Sequence, residues 1–218
     1  MKIKPTTLVE NIVRFNIPFH EQKNYEIDFV AYNREDREAY KGAINIKETV
    51  NVAIKDWDAM VYIHKYMTNK DEAGYMNVLR YGGNTEMSHN NLFIPVIDFA
   101  PLTNIEECDF SSLGELASSL HIFNSGNSYH GVLDKLMNPK EYLSYLSLLR
   151  KLDFVDQLWL DIATNNVHGN NCQILRTTWS KTRPEPTYLK QVNLEKLEKP
   201  KSIIQQAKDY IAQTLWDF

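Results

Sequence analysis

The chain has 218 residues, of which 43% are apolar and 24% charged, enough to bury a core in one large domain or two fused lobes and inconsistent with general disorder. A net charge of −4 excludes a protein that coats nucleic acid over its whole surface, which would be basic throughout. No apolar run reaches the roughly 18 residues of a membrane span, and Met1–Pro5 lacks a signal peptide's apolar stretch. Cys108 and Cys172 are too few for a disulfide framework or a Cys-rich zinc site, so a cytoplasmic location is expected.

In chain order, Thr7–Phe15 has Leu8, Ile12 and Phe15 at helical spacing. Tyr25–Tyr32 alternates and is rich in aromatic and β-branched residues, which predicts a strand, and Ala43–Ile54 alternates as one or two strands. Lys55–Met67 returns to helical spacing, and Asn77–Tyr81 reads as a strand stopped by Gly82-Gly83. Leu92–Phe99 is an apolar run ending in Asp98, a buried strand that Pro95 makes irregular or marginal. Ser111–Leu120 reads as a helix, Ser125–Ser128 as a turn and Tyr129–Leu133 as a strand. Asn138 is a helix N-cap, with Pro139 at the first position and Glu141 in the first turn of a helix running to about Leu152. Gln157–Ile162 and Cys172–Thr178 read as strands, and Lys201–Leu215 as an amphipathic helix. Interleaved strands and helices imply an α+β fold, an α/β sandwich.

Three segments carry residues suited to phosphate or metal chemistry. Asp98 ends an apolar strand, where a carboxylate needs a metal, an Arg or backbone donors; the plainer reading is a turn-forming Asp before Pro101. Ser125-Gly126-Asn127-Ser128 is a tight turn whose N–H groups and hydroxyls suit phosphate oxygens, with His130 just beyond; an ordinary turn beside a half-buried histidine is the simpler alternative. Asp161 ends a second apolar run, followed by Arg176 and Lys181. Two carboxylates would hold Mg2+ or Mn2+, and Arg and Lys would balance phosphate charge. From Arg176 to Lys201 the chain is locally basic, either a nucleic-acid patch or a solvated surface.

The order of these segments resembles the three-motif core of the archaeo-eukaryotic primase and primase-polymerase superfamily. Asp98 stands for the first motif, Ser128-Tyr129-His130 for its Ser-x-His motif, with Ser125-Gly126 ahead of it, and Leu160-Asp161 for the third. The likeness spans about residues 77–192. It implies a primase-like catalytic lobe over 76–192 with an RRM-like sheet, an α/β N-terminal lobe over 1–75, and a C-terminal helix over 193–218. It also implies Asp98 and Asp161 as metal ligands, His130 as a catalytic residue, and Ser125, Ser128, His130, Arg176 and Lys181 around a nucleoside triphosphate. The implied activity is metal-dependent primer synthesis or extension on a single-stranded DNA or RNA template, beside a helicase or another replication or defence partner. Where the family carries a second acid in its first motif, this chain has Ala100. That departure favours, as the alternative, an inactive module that binds nucleotide or nucleic acid with a partner.

Overall fold

The computed structural model describes residues 3–32, 46–57, 72–82, 88–166, 174–176 and 184–193. The amphipathic stretch Lys201–Leu215, most of Lys55–Met67, and Lys181 lie outside them. Helix α1 spans Pro5–Asn16 and buries Leu8, Val9, Ile12 and Val13. Proline occupies its first turn, where a missing N–H costs nothing.

Strands β1 (Tyr25–Tyr32), β2 (Ile46–Ala53), β3 (Glu72–Met76), β4 (Val78–Tyr81), β5 (Leu92–Phe93) and β9 (Ile174–Arg176) form one sheet. β6 (Val96–Asp98), β7 (Leu120–Asn124), β8 (Tyr129–Leu133) and β10 (Thr187–Gln191) form a second, in the order β10-β7-β8-β6. Every strand pair is antiparallel. The α+β class expected from the sequence holds. The first sheet draws strands from both sides of residue 75.

β3 and β4 are one path bent at Asn77. β1 pairs Phe29 with Tyr75 on one side of the bend and Tyr25 with Tyr81 on the other, so the register slips there. Asn77 makes the bend tolerable. Its buried amide donates to the Ile94 carbonyl (3.1 Å) and the Tyr142 hydroxyl (2.8 Å), satisfying both amide hydrogens.

Leu92–Phe99 departs from the continuous strand expected. It is two short strands, because Pro95 lacks the N–H to continue a ladder, and the chain passes at Ile94-Pro95 from the first sheet to the second. Helix α2 (Pro139–Leu149) clamps this crossover. Asn138 and Glu141 form a full capping box at its start, as the sequence predicts. Tyr142 stacks on Phe93 at 4.5 Å, and the Tyr145 hydroxyl donates to the Val96 carbonyl.

Alternation sorts the second sheet's side chains into two cores. Ile97, Leu120, Ile122 and Leu133 pack with α2, Leu160 and Ala163. Val96, Phe123 and Val132 pack toward α1 and the first sheet's Ile27, Phe29, Tyr75 and Leu79.

Two further expectations are corrected. Ser111–Leu120 is a 3-10 stretch, Phe110–Ser119, broken at Gly114, whose φ of 59° no helix accommodates, and Leu120 already begins β7. Gln157–Ile162 is not a strand but the start of helix α3, Gln157–Asn166. Asp156 caps that helix, accepting from the Trp159 N–H at 3.1 Å, and Leu160 and Ala163 form its buried side. No described helix is long and apolar enough to cross a membrane.

Candidate functional site

Asp98 ends β6 directly opposite His130 of β8, and His130 lies opposite Phe123 of β7. Cross-strand partners project from the same sheet face, about 5 Å apart at Cβ, so register alone sets the acid against the imidazole. The Asp98 carboxylate lies 3.2 Å from His130 Nδ1, with both side chains largely buried. When Nδ1 donates to the carboxylate, Nε2 carries the lone pair of the neutral ring. Nε2 is buried and, among the described residues, has no hydrogen-bond partner. The Asp98 backbone is held as well, its carbonyl accepting from the Asp156 N–H at the start of α3 (2.9 Å).

Beside this pair runs a relay of backbone carbonyls. Ser128 Oγ donates to the Phe99 carbonyl (2.8 Å), and Ser125 Oγ to the Ser128 carbonyl (2.9 Å). Arg176 then reaches from β9 of the other sheet, donating to the Ser125 carbonyl (2.5 Å) and the Pro184 carbonyl (2.7 Å). The turn closes because Gly126 adopts φ 100° and its N–H donates to Asn124 Oδ1. A Cβ at Gly126 would stand 2.7 Å from the Pro184 ring, so glycine is required there for space as well as conformation.

Four of the expected site residues therefore meet around the Asp98 strand end: His130 at the carboxylate, and Ser125, Ser128 and Arg176 along the relay. Their chemistry differs from the phosphate cradle expected. Both serine hydroxyl protons are directed to backbone carbonyls, and the Arg176 guanidinium binds carbonyl oxygens while 3% exposed. Asp161 is not among them. It stands on the solvent side of α3 in an exposed ion pair with Arg150. The strand reading failed at Asp161 because Trp159, Leu160 and Ile162 suit either structure. The Asp156 cap and the Leu160–Ala163 spacing were the helical signal.

Among the described residues, no group of three or more His, Cys, Asp or Glu side chains comes together. Asp98 has His130 for company, whereas Mg2+ or Mn2+ favours several oxygen ligands. The described donors do not fit the expected metal, and no chemical step is routed through one.

Sequence reasoning missed a second polar group on the same sheet face. His121, one register step from His130's neighbour Phe123, lies between Asp134 and the Tyr188 hydroxyl, each at 3.5 Å. Neither β7 nor β10 was foreseen, so nothing in the sequence brought these residues together.

Comparison with protein-family models, with curated proteins and with solved structures found no match.

Proposed function

We propose that this chain is a primase-like module, with an RRM-like second sheet, that binds a nucleotide or single-stranded nucleic acid without polymerising it. The observation that carries this reading is the apposition of Asp98 and His130 on neighbouring strands, the relation the first two motifs of the resemblance require. Arg176 supports it by tying the Ser125–Ser128 turn to the other sheet. Ala100 and the exposed Arg150–Asp161 pair on α3 favour binding over nucleotidyl transfer, because phosphoryl chemistry needs charge neutralisation concentrated at the reacting phosphate. The module would act beside a separate replication or defence enzyme.

The test is calorimetry with ATP and dATP, with and without Mg2+ or Mn2+, alongside a primer-extension assay. Saturable nucleotide binding that His130→Ala abolishes, with no extension product, is the expected result. Template-dependent products lost in Asp98→Ala would replace this reading with the enzymatic one. Absence of binding both to nucleotide and, in a gel-shift assay, to single-stranded DNA would end both.

A further inference from the structure

The polar groups around the Asp98 strand end divide into donors already engaged and acceptors left open. Ser128 Oγ and Ser125 Oγ give their protons to the Phe99 and Ser128 carbonyls. Two of the turn's N–H groups are engaged as well, that of Ser125 by the Ser128 carbonyl (3.0 Å) and that of Gly126 by Asn124 Oδ1 (2.8 Å). The Arg176 guanidinium donates to the Ser125 and Pro184 carbonyls. A phosphate calls for donors and positive charge, and these donors are turned to the protein's own carbonyls and amide oxygen.

What stays open has the opposite character. The Asp98 side chain is 26% exposed and meets His130 Nδ1 through Oδ1, which leaves Oδ2 to accept from outside. Among the described residues no Lys or Arg pairs with this carboxylate. His130 Nδ1 faces a group that only accepts, so the lone pair of the neutral ring lies on Nε2. A buried lone pair with no described donor beside it carries a desolvation cost that a ligand's N–H or O–H would remove.

We infer that this corner grips a nucleoside by its hydrogen-bond donors, the sugar hydroxyls or the exocyclic amine of the base, with Asp98 Oδ2 and His130 Nε2 accepting and the phosphates lying away from the pair. This rests on the nucleotide half of the proposed function and specifies which end of the nucleotide is held. It reverses the arrangement in which Ser125, Ser128, His130 and Arg176 surround a triphosphate. A carboxylate beside a phosphate costs repulsion, whereas a hydroxyl or amine gains a charge-assisted hydrogen bond from it. Asp98 is the more exposed of the two side chains and Nε2 lies beneath the surface, so the carboxylate meets the ligand first and a turn of the imidazole completes the contact.

The experiment is calorimetric titration of the parent chain with ATP, adenosine and inorganic tripolyphosphate, each with and without Mg2+. Adenosine is expected to bind within about tenfold of ATP, and tripolyphosphate neither to bind nor to displace ATP. Tripolyphosphate that displaces ATP, or adenosine that fails to bind, overturns the inference; ATP binding that is still sensitive to His130→Ala then leaves the module standing, and loss of ATP and single-stranded DNA binding together removes the module too. Two analogues identify the donor: 2′,3′-dideoxyadenosine lacks the ring hydroxyls and purine riboside lacks the amine. One of them should bind roughly tenfold or more weakly than adenosine, and full affinity for both would overturn the inference. Asp98→Asn, close in size but without the charge, should weaken adenosine by a similar factor at an unchanged melting temperature; tighter ATP binding by this variant would instead show the carboxylate repelling phosphate at the contact. Nitrogen-15 histidine spectra of the free chain should place the His130 proton on Nδ1, and a proton on Nε2 would sink the assignment of acceptors.

Discussion

Arg176→Met removes the guanidinium that joins the two sheets while keeping an apolar stem of similar length. The side chain is 3% exposed and donates to the Ser125 and Pro184 carbonyls. Hydrogen bonds from a charged donor contribute about 1.5–3 kcal/mol each, and buried carbonyls left behind keep their desolvation cost. Partial rescue by water lowers the sum, so a loss of about 3 kcal/mol is expected. For a chain of this size that is a drop of roughly 6–12 °C in melting temperature. Arg176→Lys carries the charge but cannot span two carbonyls in the planar fork of Arg, and should recover less than half of the loss. Calorimetric melting measures the magnitude, and amide hydrogen exchange locates it. Protection should fall first in the Ser125–Ser128 turn and in β10, which Arg176 tethers through Ser125 and Pro184. If Arg176→Met melts within about 2 °C of the parent, the two contacts hold nothing and the coupling between the sheets lies elsewhere.

Asp28→Ala strands the Arg80 guanidinium, which pairs with Asp28 at 2.7 Å where the two side chains are 12% and 5% exposed; urea unfolding should show a loss of about 3–5 kcal/mol. Burial pushes the Cys108 thiol up to about 11, aided by the nearby Asp153 carboxylate. In a Cys172→Ser background, iodoacetamide should therefore modify Cys108 in the native protein roughly a hundredfold more slowly at neutral pH than it modifies a free cysteine. The neutral thiol is favoured in the folded state, so its contribution to stability is complete below the ordinary value of 9.0 and disappears as pH rises toward about 11. Leu102 is 96% exposed at φ 66°, in a turn closed by the Thr103 N–H on the Ala100 carbonyl. Leu102→Gly should raise stability by about 0.5 kcal/mol in thermal melts, the relief of left-handed strain exceeding glycine's extra unfolded-state entropy.

Local signals were legible where one feature acts within one turn or one strand. The Asn138–Glu141 box and Pro139 marked the start of α2, because capping joins atoms three residues apart. Alternation marked β1 over Tyr25–Tyr32, the limits the structure shows. Short apolar runs were not legible. Leu120–Asn124 became a strand only because β8 and β10 flank it, and Gln157–Asn166 a helix because Asp156 caps it and Leu160 meets the core.

The candidate site divides along the same line. From the sequence came the residue types: an acid ending an apolar run, a Ser-x-His strand and a later arginine. Which of them meet was decided by strand register and sheet packing. Register set His130 against Asp98, and β9 carried Arg176 across to Ser125, while helix formation took Asp161 to Arg150. Side-chain chemistry is a property of a residue, but proximity across dozens of residues depends on pairing energies summed over the whole sheet, which no local pattern encodes.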